Sequence, residues 1–315
     1  MTGSAPLVDV VRSGFLECRH HGSLVALAAD GSVAFELGSP SRPMFPRSSN
    51  KPLQAVGMLR AGLDLDGELL ALACASHSGE AFHLDGVRTI LAGAGLDESA
   101  LLTPPDYPVD DVEKLDYVRR GGRPASIAMN CSGKHAAMLS TCVRNGWPTQ
   151  NYTEPGHPLQ VAIREAIEQL AGEPVEVTGV DGCGAPVFGL SLTGLARAFR
   201  AVSLGAPGSH EHRVAEAIRA HPTWLGGTRR DVTKLIAGVP GLIAKDGAEG
   251  VYAAALPDGR AVALKIEDGA QRARPPVMVA ALRRLGVDEP ALAELATAPL
   301  LGGGRPVGDA HFVGW

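Results

Sequence analysis

Two hairpin signatures near opposite ends of the chain restrict its fold more than any other feature. Residues 24–27 (LVAL) and 33–35 (VAF) flank Asp30-Gly31, and residues 251–256 and 261–266 flank Pro257-Asp258-Gly259. Asp-Gly between apolar runs supplies the positive backbone angles of a tight turn joining antiparallel strands. Residues 8–18 and 242–245 read as further strands, residues 175–177 as a short one, and the tail beyond Pro299 as a Gly-rich segment. The middle has mainly helical spacing, with apolar stripes such as Leu159, Ile163, Ala166, Ile167 and Leu170. Strands at both ends around a helical middle are joined most economically as one sheet built from the two termini. The expectation is therefore an α/β (α+β) fold with a mostly antiparallel sheet from about 8–40 and 240–267. Helices cover that sheet, a helical lobe occupies about 48–236, and one domain spans 1–315.

The segment Arg47-Ser48-Ser49-Asn50-Lys51-Pro52 sits where the first strands give way to helix. On a helix, i and i+3 share a face, so the Ser48 hydroxyl and the Lys51 amine come within reach of one another. Serine is a weak nucleophile at neutral pH and needs a base, which a buried lysine can be. A helix N-terminus also offers free N–H groups to an oxyanion. The same four residues fit a plainer reading, with Ser48 as an N-cap and Lys51 exposed in the first turn. Pro52 suits that first turn either way.

Three further loops carry reactive side chains. Cys74-Ala75-Ser76-His77-Ser78-Gly79-Glu80 reads as a site loop in which Ser78 caps the following helix. Asn130-Cys131-Ser132-Gly133-Lys134-His135 leads a polar loop into a helix, and Gly179 to Pro186 packs glycines around Asp181 and Cys183. Cys18 and Cys142 read as core fillers. Five cysteines are an odd number, and residues 1–7 lack the basic and apolar regions of a signal peptide, so reduced thiols in a cytoplasmic protein are expected. A net charge of −5 with no dense basic run gives no footprint for nucleic acid, and no apolar run is long enough for a bilayer.

Taken in order, Arg47 to Pro52, Cys74 to Ser78, Asn130 to His135, Asp181-Gly182-Cys183, Lys245-Asp246-Gly247 and Lys265 to Gly269 resemble the rhizobial-type L-asparaginase II family. The resemblance implies a fold like that of serine β-lactamases and serine glutaminases, and hydrolysis of L-asparagine to aspartate and ammonia. It implies two Ser-Lys tandems, Ser48 with Lys51 and Ser76 with Lys245, and a zinc site on Cys131, Lys134 and Cys183. It also implies a homodimer. Charge suggests Asp181 for the substrate's ammonium and Arg47 for its carboxylate, and His135 and Asn130 join the substrate-binding set. Without the resemblance, Cys131 and Cys183 read as two buried thiols rather than a zinc site, and His135 rather than Lys134 is the residue a metal would take. Other readings of the same residues are a β-lactamase-like or other serine amidohydrolase, a Cys131/His135 amidohydrolase, and an amino-acid or metal-binding protein without turnover.

Overall fold

The computed structural model describes residues 3–315; Met1 and Thr2, where the reading of the N-terminus begins, lie outside them. The strands are β1 (Ala5–Arg12), β2 (Phe15–Leu27), β3 (Val33–Leu37), β4 (Pro43–Met44), β5 (Val177–Val180), β6 (Pro186–Ser191), β7 (Ile243–Asp246), β8 (Val251–Ala255), β9 (Ala261–Ile266), β10 (Thr297–Gly302) and β11 (Arg305–Phe312). The helices are α1 (Lys51–Arg60), α2 (Gly67–Ala73), α3 (Ala81–Gly93), α4 (Asp111–Arg119), α5 (Ser132–Arg144), α6 (Pro158–Ala171), α7 (Leu192–Ser203), α8 (His210–Ala220), α9 (Pro222–Leu225), α10 (Asp231–Gly238), α11 (Arg274–Arg284) and α12 (Leu292–Leu295).

Eight strands from the two ends of the chain form one sheet in the order β10-β11-β1-β2-β9-β8-β7, with β3 paired to β2. Every pairing in it is antiparallel. The seam between the two ends is β2 against β9, with Leu24 opposite Leu264 and Ala26 opposite Val262. Both expected hairpins are present, closed by Gly31 and Gly259 at positive φ. Every position of β7 and β8 is buried, so both faces are covered there; α7 and α11 both pack on β8 and β9. Fully burying a leucine such as Leu24 or Leu264 stabilises by roughly 1.5–3 kcal/mol.

Several local expectations are corrected. The Gly-rich tail is strand: β10 and β11 form a hairpin at the sheet edge, turned by Gly303 and Gly304 at φ 56° and 76°. The short strand expected at residues 175–177 is β5, displaced toward Asp181, and it pairs with β6, an unexpected buried strand. Cys142 is buried as expected, but Cys18 is exposed and accepts from Arg272 Nη2 at 3.3 Å. Ser78 does not cap α3: its hydroxyl donates to the Gly226 carbonyl at 2.9 Å, and Glu80 is the first flanking residue. Among the described residues no helix is long and apolar enough to cross a membrane.

Helix α1 is buried at every residue but Arg60, as befits a core helix rather than a surface one. It lies tight on α6 at Gly57, where a Cβ would stand 2.9 Å from the Ile163 Cα. This packing fixes Lys51, in its first turn, deep inside the molecule.

Candidate active site

Ser48 lies in a single 3-10 turn, Arg47–Asn50, that delivers the chain into α1. Arg47 opens the turn at φ +53°, a left-handed angle that costs a residue with a side chain of order 1–2 kcal/mol. Glu249, another non-glycine at positive φ, faces it, with Oε1 3.7 Å from Arg47 Nη1. Strain of this kind persists where surrounding structure over-determines it, and it collects at functional sites. The surrounding structure is the end of β7. Gly247 is so close that a Cβ there would sit 2.7 Å from the Pro46 carbonyl oxygen and 3.1 Å from the Ser49 nitrogen. Both neighbours are backbone, so Gly247→Ala is expected to displace the Ser48 turn and cost about 1–3 kcal/mol. Thermal unfolding measures it, and a wild-type midpoint would refute the close packing as the turn's support.

The turn opens on a cleft of about 320 Å³ whose lining includes Ser48, Ser76, Asn130, Arg230, Asp246, Arg274, Asp110 and Asp111. The Ser48 hydroxyl is partly exposed in it and has no hydrogen bond among the described residues. Two N–H groups of the turn are engaged, Ser49 with the Pro46 carbonyl and Lys51 with the Ser48 carbonyl. Neither can serve an oxyanion, which removes part of what the helix entrance offered in sequence.

The lysines pair differently from the tandems the resemblance implies. Lys51, 1% exposed, donates from Nζ to Ser76 Oγ at 3.0 Å, Cys131 Sγ at 3.0 Å and the Ala75 carbonyl, with no bond to Ser48. Its alternative reading as an exposed first-turn residue is thereby corrected. Lys245, fully buried in β7, donates to the Asp246 carbonyl and to Asp246 Oδ1, both at 2.7 Å, and not to Ser76. Burial lowers the Lys245 amine to about 8, with Lys51 adding to the effect and Asp246 opposing it.

Asp246 is the hub of a charged cluster that sequence reading missed. Its Oδ2 accepts from Arg230 Nη2 at 2.7 Å and lies 3.4 Å from Arg274 Nη1. Burial alone would raise this carboxyl, but Lys245, Arg230 and Arg274 hold it well below the usual carboxylate range. The segment around Arg230 is anchored by Glu80, which accepts from Thr228 N at 2.8 Å and Thr228 Oγ1 at 2.9 Å.

Behind Lys51 lies a second buried cluster. Cys131 donates to Asn130 Oδ1 at 3.1 Å, and Lys134 Nζ is 3.2 Å from Cys183 Sγ. The neighbouring Cys131, with the positive Lys134, holds Cys183 as thiolate, and Cys183 together with burial pushes the Cys131 thiol well up. Burial would lower Lys134, but the negative charge of Cys183 and Asp181 keeps it above the usual lysine range. His135 is fully buried with Nδ1 on the Tyr152 hydroxyl at 2.7 Å and Nε2 without a partner. Among the described residues no three His, Cys, Asp or Glu side chains are disposed to hold a metal ion. Two thiols, one amine and an unpartnered imidazole nitrogen nevertheless make a donor set that suits a soft ion such as zinc.

Arg47 and Asp181, assigned by charge to opposite ends of a substrate, are bonded to one another, Nε to Oδ1 at 2.7 Å. Neither lines the cleft, and His135 does not either; Asn130 does.

No individual curated protein matches the sequence. Among solved structures, a beta-lactamase from Mycobacterium bovis is similar at 13% identity over 84% of this chain and 95% of that one, with a TM-score of 0.48. Mglu in its native form is similar at 14% identity and a TM-score of 0.44 over 83% of this chain, which spans only 62% of Mglu. EstCE1, a hydrolase with promiscuous acyltransferase activity, is similar at 12% identity over 87% of this chain and 93% of that one, with a TM-score of 0.41. The family model for L-asparaginase II matches residues 8–312, nearly the whole length, and the chain therefore belongs to the L-asparaginase II family of amidohydrolases.

Proposed function

We propose that the protein hydrolyses L-asparagine to L-aspartate and ammonia through an acyl-enzyme on Ser48. The observation that carries this reading is that two serine hydroxyls, Ser48 and Ser76, open on one cleft while a buried lysine amine touches the second. Ser48 Oγ attacks the side-chain amide carbon and gives up its proton through Ser76 to the Lys51 amine. The protonated lysine then returns a proton to the departing nitrogen as the C–N bond breaks, releasing ammonia and leaving an ester on Ser48. Water, deprotonated by the same pair, attacks that ester; aspartate leaves and Ser48 recovers its proton. Lys245 stands behind this pair as a second amine near neutrality.

Zinc belongs to the same proposal, held by Cys131, Lys134 and Cys183, with Lys134 binding as the free amine. Bound there it supplies a fixed positive charge behind Lys51. The chain's own Cys131 accepts from Lys51 there and helps hold that amine against Ser76.

The test is ammonia release from L-asparagine and L-glutamine in parallel across pH 5–10, with the metal content of the protein measured. With Lys245 held to about 8, a route that needs its neutral amine gains rate as pH rises toward 8 and loses about tenfold per unit below it. An acid limb centred below pH 6 would remove Lys245 from the chemistry. No ammonia from either amide, with zinc supplied, would remove the asparaginase reading.

A further inference from the structure

The proposed chemistry does not say how the cleft distinguishes an amino-acid amide from any other amide. Arg47 and Asp181 neutralise each other away from it, but two other guanidinium groups, Arg230 and Arg274, do line it. Arg274 is 4% exposed and committed: Nη1 donates to the Gly247 carbonyl at 2.8 Å, Nη2 lies 3.9 Å from Asp231, and the group covers the Tyr252 ring at 5.7 Å. Arg230 is held only through Nη2 on Asp246, its side chain is 20% exposed, and its Nε and Nη1 make no hydrogen bond among the described residues. The cluster also carries an excess of formal positive charge. Lys245, Arg230 and Arg274 face Asp246 and Asp231.

A planar guanidinium with free donors on the wall of a cleft is suited to taking a carboxylate in a two-point grip. The same cleft also carries carboxylates. Asp110 is used by Arg229 and by the N-terminus of α4, while Asp111 makes no hydrogen bond or ion pair among the described residues. A guanidinium with free donors and a carboxylate without a partner on one cleft match the two charged groups of a free amino acid.

We propose that Arg230 binds the substrate's α-carboxylate and makes the cleft selective for the amide of a free α-amino acid. This rests on the amidohydrolase reading and deepens it. Asp246 and Arg274 are positioning residues: Asp246 fixes one edge of the Arg230 guanidinium and Arg274 fixes Asp246.

The test compares kcat/KM for L-asparagine and for 3-aminopropanamide, which keeps the amide and amine but lacks the carboxylate. The wild type is expected to favour L-asparagine by on the order of 100-fold, the range that loss of a partly buried charge pair produces. Arg230→Gln is expected to depress L-asparagine far more than 3-aminopropanamide, so the preference falls toward one. Arg230→Lys, which keeps the charge on Asp246 but not the fork, should fold as the wild type does by thermal unfolding and show an intermediate preference. An unchanged preference in both variants overturns the proposal, as does a preference that collapses in Arg47→Gln instead. If the wild type hydrolyses neither amide, the amidohydrolase reading fails, and calorimetric binding of L-aspartate against β-alanine then decides the clamp. Selective aspartate binding lost in Arg230→Gln upholds it, and no selectivity overturns it.

Discussion

Ser48→Ala is expected to lower turnover of L-asparagine by on the order of 10⁴-fold or more, while leaving folding and amino-acid binding in place. The hydroxyl has no hydrogen bond among the described residues and lies partly exposed in the cleft, so removing it opens no cavity and strands no partner. Stability should change by no more than about 0.5 kcal/mol. The comparison that gives this result its meaning is Ser76→Ala. Ser76 is 5% exposed and bonded to Lys51, so its loss leaves the amine on Cys131 and the Ala75 carbonyl and breaks the proton route without removing the nucleophile. Turnover that survives Ser48→Ala but vanishes in Ser76→Ala would exchange the two roles. Survival in both would point to the Cys131/His135 reading, against which the structure already weighs. Cys131 is buried, its thiol is pushed well above the usual range by the neighbouring Cys183 and by burial, and His135 turns its Nδ1 to Tyr152. Steady-state ammonia release and calorimetric binding on the same preparations separate these outcomes.

What the sequence made legible was whatever depends on short spacing. The two hairpins could be read because Asp30-Gly31 and Pro257-Asp258-Gly259 carry their turn chemistry locally, and Pro52 could be placed because a first-turn proline needs no donor. The ordered motifs singled out Ser48, Lys51, Ser76, Asn130 and Lys245, which the fold gathers in one region. Local spacing misled where tertiary contacts compete. Ser48 and Lys51 stand three apart, yet the amine turns to a serine and a thiol that arrive from other loops. Ser78 looks like a cap, yet the Gly226 carbonyl captures its hydroxyl. The C-terminal hairpin went unread because glycines at its turn mask strands that are half exposed and short on apolar alternation. The cluster of Arg230, Asp246 and Arg274 joins three separate segments, and nothing in any one of them marks it.

Asp246→Asn carries the second large expected effect, and it acts through that cluster. The carboxylate is 4% exposed and receives Lys245, Arg230 and Arg274, so the substitution leaves three cations gathered around a neutral amide. Removing one partner of a buried ion cluster costs about 3–5 kcal/mol, because the remaining charges stay desolvated. The pH dependence has a definite sign. Asp246 is held well below its usual value when folded, so its contribution is full above the unfolded carboxyl's range near 4 and fades as pH falls through the lower folded value. The stability gap between wild type and variant should therefore be widest near neutral pH and narrow in acid. Activity shifts independently of stability. Asp246 is the group that opposes burial at Lys245, so without it the amine falls further below about 8, and any acid limb it governs moves to lower pH. Denaturant unfolding at pH 7 and pH 3, with a pH–rate profile on the folded fraction, reads both effects. A gap that stays constant into acid would show that Asp246 is not ionised in the native cluster, and the assignment of its charge to Lys245 and the two arginines would have to be withdrawn.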